Sequence, residues 1–253
     1  MTTDEPLLVT SDGSTRIVTM NRPDKLNAIS EELHAALTGI WARLMRDPEA
    51  RAVIVTGSGR AFSAGGDAEW LEQIATDPEV RWRAIDEGGR LAREMLRFPL
   101  PVVAAVNGPA VGLGASIASL CDMVVMSEEA FFSDTHTMLG VAAGDGVAAT
   151  WPGTIGMQRA KEYILLGDRI PADEAYRLGL VNRVVSPENI MTEAAALAQR
   201  LGALPKYAFR ATKKTLNLQV ERSAVGIIDF ALAAESEHFS MPEMVEKIRG
   251  MRG

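Results

Sequence analysis

Pro101-Val102-Val103-Ala104-Ala105-Val106-Asn107-Gly108-Pro109-Ala110-Val111-Gly112-Leu113-Gly114 runs from an apolar, β-branched strand through a glycine-bearing turn toward a helical pattern. Phe62-Ser63-Ala64-Gly65-Gly66-Asp67 repeats that arrangement after the earlier run Arg51 to Thr56. Each turn can aim free backbone N–H groups into one pocket, the layout of an oxyanion hole. Acyl chemistry needs donors held where a carbonyl oxygen gains charge, and losing one typically costs roughly 2.7–4 kcal/mol of transition-state stabilisation.

The flanking segments supply the frame. Thr15 to Met20 and Arg51 to Thr56 read as strands, and between them Ser30 caps a helix carrying Leu33, Leu37, Ile40, Trp41 and Leu44, a βαβ unit. A polar helical stretch from about Val80 to Arg97 precedes the strand Val102 to Val106, and a short helix, Ala115 to Leu120, leads to a buried strand over Asp122 to Met126. Strands alternating with helices favour stacked β-α layers. From Trp151 onward the period is helical, except for a brief strand at Val181 to Val185. Helical patterns at Glu188 to Leu201, Lys206 to Leu218 and Glu221 to Phe239 carry more apolar residues than a solvated tail needs. They should pack on their own core or on another subunit.

With 253 residues and 47% hydrophobic content, the chain can bury most of its apolar surface in one large α/β domain or one domain with a helical appendage. Leu100 to Val106, the longest apolar stretch, is far short of the roughly 20 residues that span a bilayer. The acidic start Met1-Thr2-Thr3-Asp4-Glu5-Pro6 lacks the positive region of a signal peptide, so a soluble cytoplasmic protein without a membrane partner is expected. A single cysteine, Cys121, and three scattered histidines, His34, His136 and His238, offer no zinc-site spacing, and no metal is expected. A net charge of −7 without a basic cluster argues against nucleic acid. A small phosphorylated ligand needs only a few local cations, and Arg22, Lys25, Lys213 and Lys214 are available.

Several motifs in order and spacing resemble the crotonase, or enoyl-CoA hydratase/isomerase, superfamily. They are Asn21-Arg22-Pro23-Asp24-Lys25-Leu26-Asn27-Ala28, both glycine turns with their strands, Cys121-Asp122, Leu166-Gly167-Asp168 and Ala175-Tyr176-Arg177-Leu178-Gly179-Leu180-Val181. The resemblance implies an α/β fold, a crotonase-like spiral of β-β-α repeats over residues 1–200 followed by a C-terminal helical trimerisation region over 201–253. It implies a homotrimer or dimer of trimers acting on acyl-coenzyme A thioesters, with no permanently bound cofactor. The oxyanion amides map onto Gly66 and Leu113. Leu113 opens a helix, where the first N–H groups lack internal partners and the macrodipole favours negative charge. Adenine and pantetheine map near Lys25, Leu26, Ala28, Ala64, Gly66 and Asp67, with Arg22 or Lys25 able to face phosphate.

Hydratases of the superfamily use two glutamates, and their counterparts here fall at Ser116 and His136. The two-glutamate mechanism therefore does not transfer. Ser116 is expected to line the site as a small residue or hydrogen-bond partner. His136 and Asp145, nine residues on, would lie on opposite sides of a continuous helix, but Gly140, Gly144 and Gly146 argue for a loop that folds them together. An imidazole with a carboxylate on its other nitrogen can deprotonate water or carbon. Asp145 instead capping a helix from Val147 is the structural alternative. His34 and His238 are expected to be solvated or packing residues. The resemblance implies enoyl-CoA hydratase/isomerase-like chemistry. Its alternatives are a His-Asp hydrolase of carbon-carbon bonds, as in β-diketone hydrolases, aryl-CoA dehalogenation through Asp145, and a non-catalytic CoA-binding homologue.

Overall fold

The computed structural model describes residues 5–224 and 226–250. Residues 1–4, 225 and 251–253 lie outside that description, and with them the first four residues of the acidic start and the outer ends of the two expected regions.

Strand β1 (Leu7–Asp12) pairs antiparallel with β2 (Thr15–Met20), and α1 (Glu31–Met45) leads to β3 (Ala52–Gly57). Helices α2 (Ala68–Thr76) and α3 (Pro78–Arg97) precede β4 (Val102–Val106). The chain continues through β5 (Ala110–Val111), α4 (Leu113–Leu120), β6 (Met123–Ser127), β7 (Phe131–Ser133) and α5 (His136–Leu139). Then come α6 (Val147–Ile155), α7 (Met157–Leu166), β8 (Ile170–Pro171), α8 (Ala172–Leu178) and β9 (Arg183–Val185). Four helices follow: α9 (Ile190–Gly202), α10 (Lys206–Ala224), α11 (Ile227–Phe239) and α12 (Pro242–Gly250).

The large sheet has the order β1-β2-β3-β4-β6-β9, parallel from β2 onward, and a small sheet has the order β5-β7-β8. After each central strand the chain touches the small layer. Ser63 bridges Ala110, Gly66 bridges Ile29, β5 follows β4, and β7 follows β6. This is the spiral of β-β-α turns that the family resemblance implies.

Alternation along the central strands explains why they are buried on both faces. Val53, Val55, Val102, Ala104 and Val106 face the main core, whereas Ile54, Val103 and Ala105 face Ile190, Ala194, Leu197 and Ala198 of α9. Helix α1 begins where Leu33 N–H donates to Ser30 Oγ at 3.3 Å, and it buries Leu33, Leu37, Ile40, Trp41 and Leu44 along one stripe.

Several boundaries differ from the sequence reading. Helix α4 starts at Leu113 rather than Ala115, because Gly112 adopts φ 53° and ends the preceding strand directly into the helix. The expected helix from Glu221 to Phe239 is interrupted, since α10 runs to Ala224 and Gly226, at φ 81°, precedes α11. The edge strand β1, helix α2 and the two- or three-residue strands of the small sheet carry too little periodicity to be read in advance.

The helices after residue 202 pack back onto the core through Ala224, Ile228, Leu232, Phe239, Met244 and Ile248. Lys213, expected as a free cation for a phosphate, is instead buried on α10. Its Nζ lies 2.6 Å from Asp122 Oδ2 and donates to Leu100 O at 2.8 Å. Burial raises the Asp122 carboxyl above its ordinary range, and Lys213 opposes that rise. Among the described residues no helix is long and apolar enough to cross a membrane.

Lys213→Met strands a buried carboxylate, so it should cost about 3–5 kcal/mol in urea unfolding near neutral pH. The double variant Lys213→Met with Asp122→Asn should recover most of that loss.

Candidate active site

The two glycine turns meet. Ile29 N–H donates to Gly65 O at 2.7 Å, Asp67 N–H to Ile29 O at 2.9 Å, and Val111 N–H to Ser63 O at 2.9 Å. Gly112 holds φ 53°, a left-handed conformation that side chains rarely adopt, and a Cβ on Gly114 would lie only 2.9 Å from Ser63 Cβ, so this approach requires glycine at both positions. Asn27 and Asn107 lock the turns from behind, each donating from Nδ2 to Ala61 O, at 2.8 and 3.2 Å.

Peptide N–H groups alternate in direction along an extended segment. With the Asp67 N–H turned to Ile29, the Gly66 N–H turns the other way. Leu113 is the first residue of α4, where no intrahelical acceptor exists. Among the described residues neither amide has a hydrogen-bond partner, and Gly66 and Leu113 line the same cleft, about 730 Å³ including its open mouth.

His136 and Asp145 line it too. His136 opens the single turn α5, and Gly140, at φ 96°, closes that turn so that the chain loops back. Nδ1 of His136 lies 3.0 Å from Asp134 Oδ2 and 3.1 Å from Asp134 Oδ1, while Nε2 lies 3.4 Å from Asp145 Oδ2. Ionised carboxylates only accept, so the form that satisfies both nitrogens is the imidazolium. Burial alone would lower the His136 pKa, but the Asp145 and Asp134 carboxylates raise it well above the ordinary value. Burial pushes the Asp145 carboxyl up, and His136 and the Ser116 hydroxyl more than reverse that, leaving it below the usual range.

Asp145 does not cap α6. Gly146 holds the cap position without a side-chain bond, and Asp145 Oδ1 instead accepts from Ser116 Oγ at 2.5 Å. Ser116 is fully buried behind Asp145 and is not among the residues lining the cleft, so it holds the carboxylate rather than lining the site. His34, expected to be solvated or packing, is a wall of the cleft. Its Nδ1 faces Glu87 Oε2 at 3.0 Å, and its ring lies 4.9 Å from Trp70. His238 pins the active loop, with Nδ1 accepting from Ala142 N–H at 3.1 Å.

Two acidic residues escaped the sequence reading. Asp134 stands two positions before His136, a spacing that lets its side chain fold onto the ring. Glu235 sits in the otherwise apolar stripe Ile228, Leu232, Phe239 of α11. Both are buried, and Glu235 lines the cleft.

A family model described as enoyl-CoA hydratase/isomerase matches residues 11–251. The chain belongs to that family. An enoyl-CoA hydratase/isomerase from Mycobacterium paratuberculosis has a crystal structure matching at TM-score 0.94 and 43% identity, covering 99% of this chain and 100% of that one. The short-chain-enoyl-CoA hydratase of Clostridium acetobutylicum is 33% identical over 234 residues, 92% of this chain and 87% of that protein. The structure of a monofunctional enoyl CoA isomerase from M. smegmatis matches at TM-score 0.73 and 29% identity, covering 86% of this chain and 94% of that one.

For a member of the enoyl-CoA hydratase/isomerase family, the residues mapped to coenzyme A lie beside the cleft rather than in its lining. Arg22 is engaged, with Nη2 3.0 Å from Asp67 Oδ2 and Nη1 donating to Ala28 O. Asp67 also caps α2 through Glu69 N–H at 3.0 Å. Lys25 is exposed, and Leu26 accepts from Ala64 N–H at 3.0 Å, which ties the 22–28 turn to the first glycine turn. Asp134, His136 and Asp145 offer one ligand atom each within 4.8 Å of one another. An imidazolium has no lone pair for a metal, however, so an ion there must displace a proton.

The pairing that raises the His136 pKa contributes stability in full below about pH 6.5. That contribution is lost as pH rises through the raised folded value. His136 should therefore titrate as an imidazolium past pH 7 in ¹H–¹⁵N NMR, and Asp134→Asn should lower its midpoint. The stability gap between wild type and His136→Gln should be larger at pH 6 than at pH 9.

Proposed function

We propose that the chain shifts the double bond of an enoyl-CoA thioester, with the Gly66 and Leu113 amides receiving the carbonyl oxygen and Asp145 with His136 moving the proton. The observation that carries this reading is one cleft holding two unpartnered amides and a carboxylate–imidazolium pair. When a C–H bond next to the thioester carbonyl breaks, its electron pair moves toward the oxygen. The two amides and the positive end of α4 stabilise that charge. Asp145 is the acceptor for the proton, and the imidazolium beside it offsets the charge of the enolate. Apolar walls such as Ile74, Ile85 and Leu232 exclude water, which strengthens each of these interactions.

Coenzyme A lies outside this cleft in our reading, along Lys25, Leu26, Ala28 and Ala64, with Arg22 and Asp67 fixing the turn that receives it. No metal or permanently bound cofactor takes part, and the enzyme works in the cytoplasm. Tyr207, Leu216 and Phe230 are 84%, 64% and 76% exposed on α10 and α11, which supports assembly through residues 201–253 as a homotrimer or a dimer of trimers. Light scattering should give the mass of three or six chains.

Hydration of the double bond is the second reading, favoured by the hydratase name of the Clostridium acetobutylicum relative. The names of the relatives favour either reading over carbon-carbon hydrolysis or coenzyme A binding without turnover. The two are separated by supplying 3-enoyl-CoA and 2-enoyl-CoA in H₂¹⁸O and following conjugation and ¹⁸O uptake by mass spectrometry. Isomerisation without label incorporation is the expected result, and labelled 3-hydroxyacyl product would favour hydration. Asp145→Asn and His136→Ala should each lower kcat/KM by roughly 10²–10⁴-fold, while a chelator leaves turnover unchanged.

A further inference from the structure

Helix α11 buries Ile228, Leu232, Glu235 and Phe239 along one face, so a carboxyl interrupts an apolar stripe. The helix is seated by small residues: a Cβ on Gly89 would lie 3.1 Å from Leu232 Cδ1, and one on Gly144 only 2.4 Å from Glu235 Oε2. Gly144 immediately precedes Asp145, so the loop that presents Asp145 is shaped to admit the Glu235 carboxyl. That carboxyl lines the cleft, and among the described residues its Oε2 is buried without a hydrogen-bond partner. A buried polar atom left unpaired costs stability, and its placement in the cleft beside the proton-transfer pair gives it a use.

We infer that Glu235 is a catalytic residue, the proton-bearing carboxyl that protonates the substrate carbon chain while Asp145 takes a proton from it. The inference rests on the enolate reading above. Burial raises the Glu235 pKa to about 8; His136 opposes the rise and Asp145 and Asp134 add to it. Asp145 is held low in the same cleft, and two carboxyls driven apart in this way divide into acid and base. His34 of α1 shares the cleft, and the Arg93–Asp229 pair lies on the exposed side of α11.

The step balances. The C2–H bond of a 3-enoyl thioester breaks, its proton goes to Asp145, and its electron pair forms the C1=C2 bond as the carbonyl pair moves onto oxygen. The oxygen pair then re-forms the carbonyl, the C1=C2 pair becomes the C2=C3 bond, and the C3=C4 pair takes the Glu235 proton at C4. Asp145 is left protonated and Glu235 ionised, and exchange of one proton with solvent resets them.

The test compares two reactions of the full chain. Exchange of the C2 protons of butyryl-CoA with D₂O, read by NMR, needs the amides and the base but no acid. Isomerisation of 3-enoyl-CoA needs all three. Glu235→Gln should lower kcat for isomerisation about 100-fold with KM within about twofold, yet keep exchange within about threefold of wild type. In wild type the ratio of isomerisation to exchange should fall as pH rises through about 8, and in Glu235→Gln it should be flat. Glu235→Met, which completes the apolar stripe, should melt above wild type and show the same kinetic split. Unchanged isomerisation in Glu235→Gln, or equal loss of both reactions, overturns the assignment of Glu235. Absence of both reactions in wild type overturns the enolate reading itself, and the assignment with it.

Discussion

The close approach of two backbone turns, Gly65-Gly66 against Val111-Gly112, is the constraint on which the rest of the structure depends. It holds because hydrogen bonds from Ile29, Asp67 and Val111 use up the neighbouring peptide groups, while Gly112 supplies a left-handed turn and no Cβ stands in the way at Gly114. The large sheet delivers one turn from the end of β3 and the other from the end of β4, adjacent parallel strands. Among the described residues, two amides are thereby left without partners in an apolar cleft. Main-chain donors held by a sheet need no reorganisation when charge develops nearby.

Around that frame the charged groups are arranged in one buried chain. Ser116 holds Asp145, Asp145 and Asp134 hold His136, and Glu235 closes the cleft from α11. Burial penalises each ion, and only the mutual pairing keeps Asp145 ionised and His136 protonated. Glu235, lacking such a partner, remains the group that burial drives toward its neutral form. The C-terminal helices thus do more than cover the core, since one of them brings a carboxyl to the cleft. Lys213 and Asp122 anchor the preceding helix to the sheet that carries both turns.

Much of the frame was legible locally. The β-branched runs of β2, β3 and β4, the Ser30 cap and the apolar register of α1 each follow from short-range chemistry, and the structure keeps them nearly residue for residue. The glycine turns were legible for the same reason, since glycine between a strand and a helix marks a place where side chains are not tolerated. The pairing of His136 with Asp145 was also suggested locally, by the glycines between them.

What could not be read locally is the direction of each polar group. Lys213 and Arg22 look like free cations in the sequence, but a residue 91 positions away neutralises the first, and the Asp67 carboxylate with Ala28 O engages the second. His34 and Glu235 reach the cleft from α1 and α11, and Asp134 reaches the His136 ring from the end of β7, segments with no common motif. The amino-acid order by itself determined the strands, the capped helix and the two turns, because those depend on propensity and on the absence of side chains over a few residues. Only the tertiary structure decided which carboxyls surround one imidazole and which of them is left without a partner, because protonation follows from burial and through-space charge, and neither exists until distant segments have packed together.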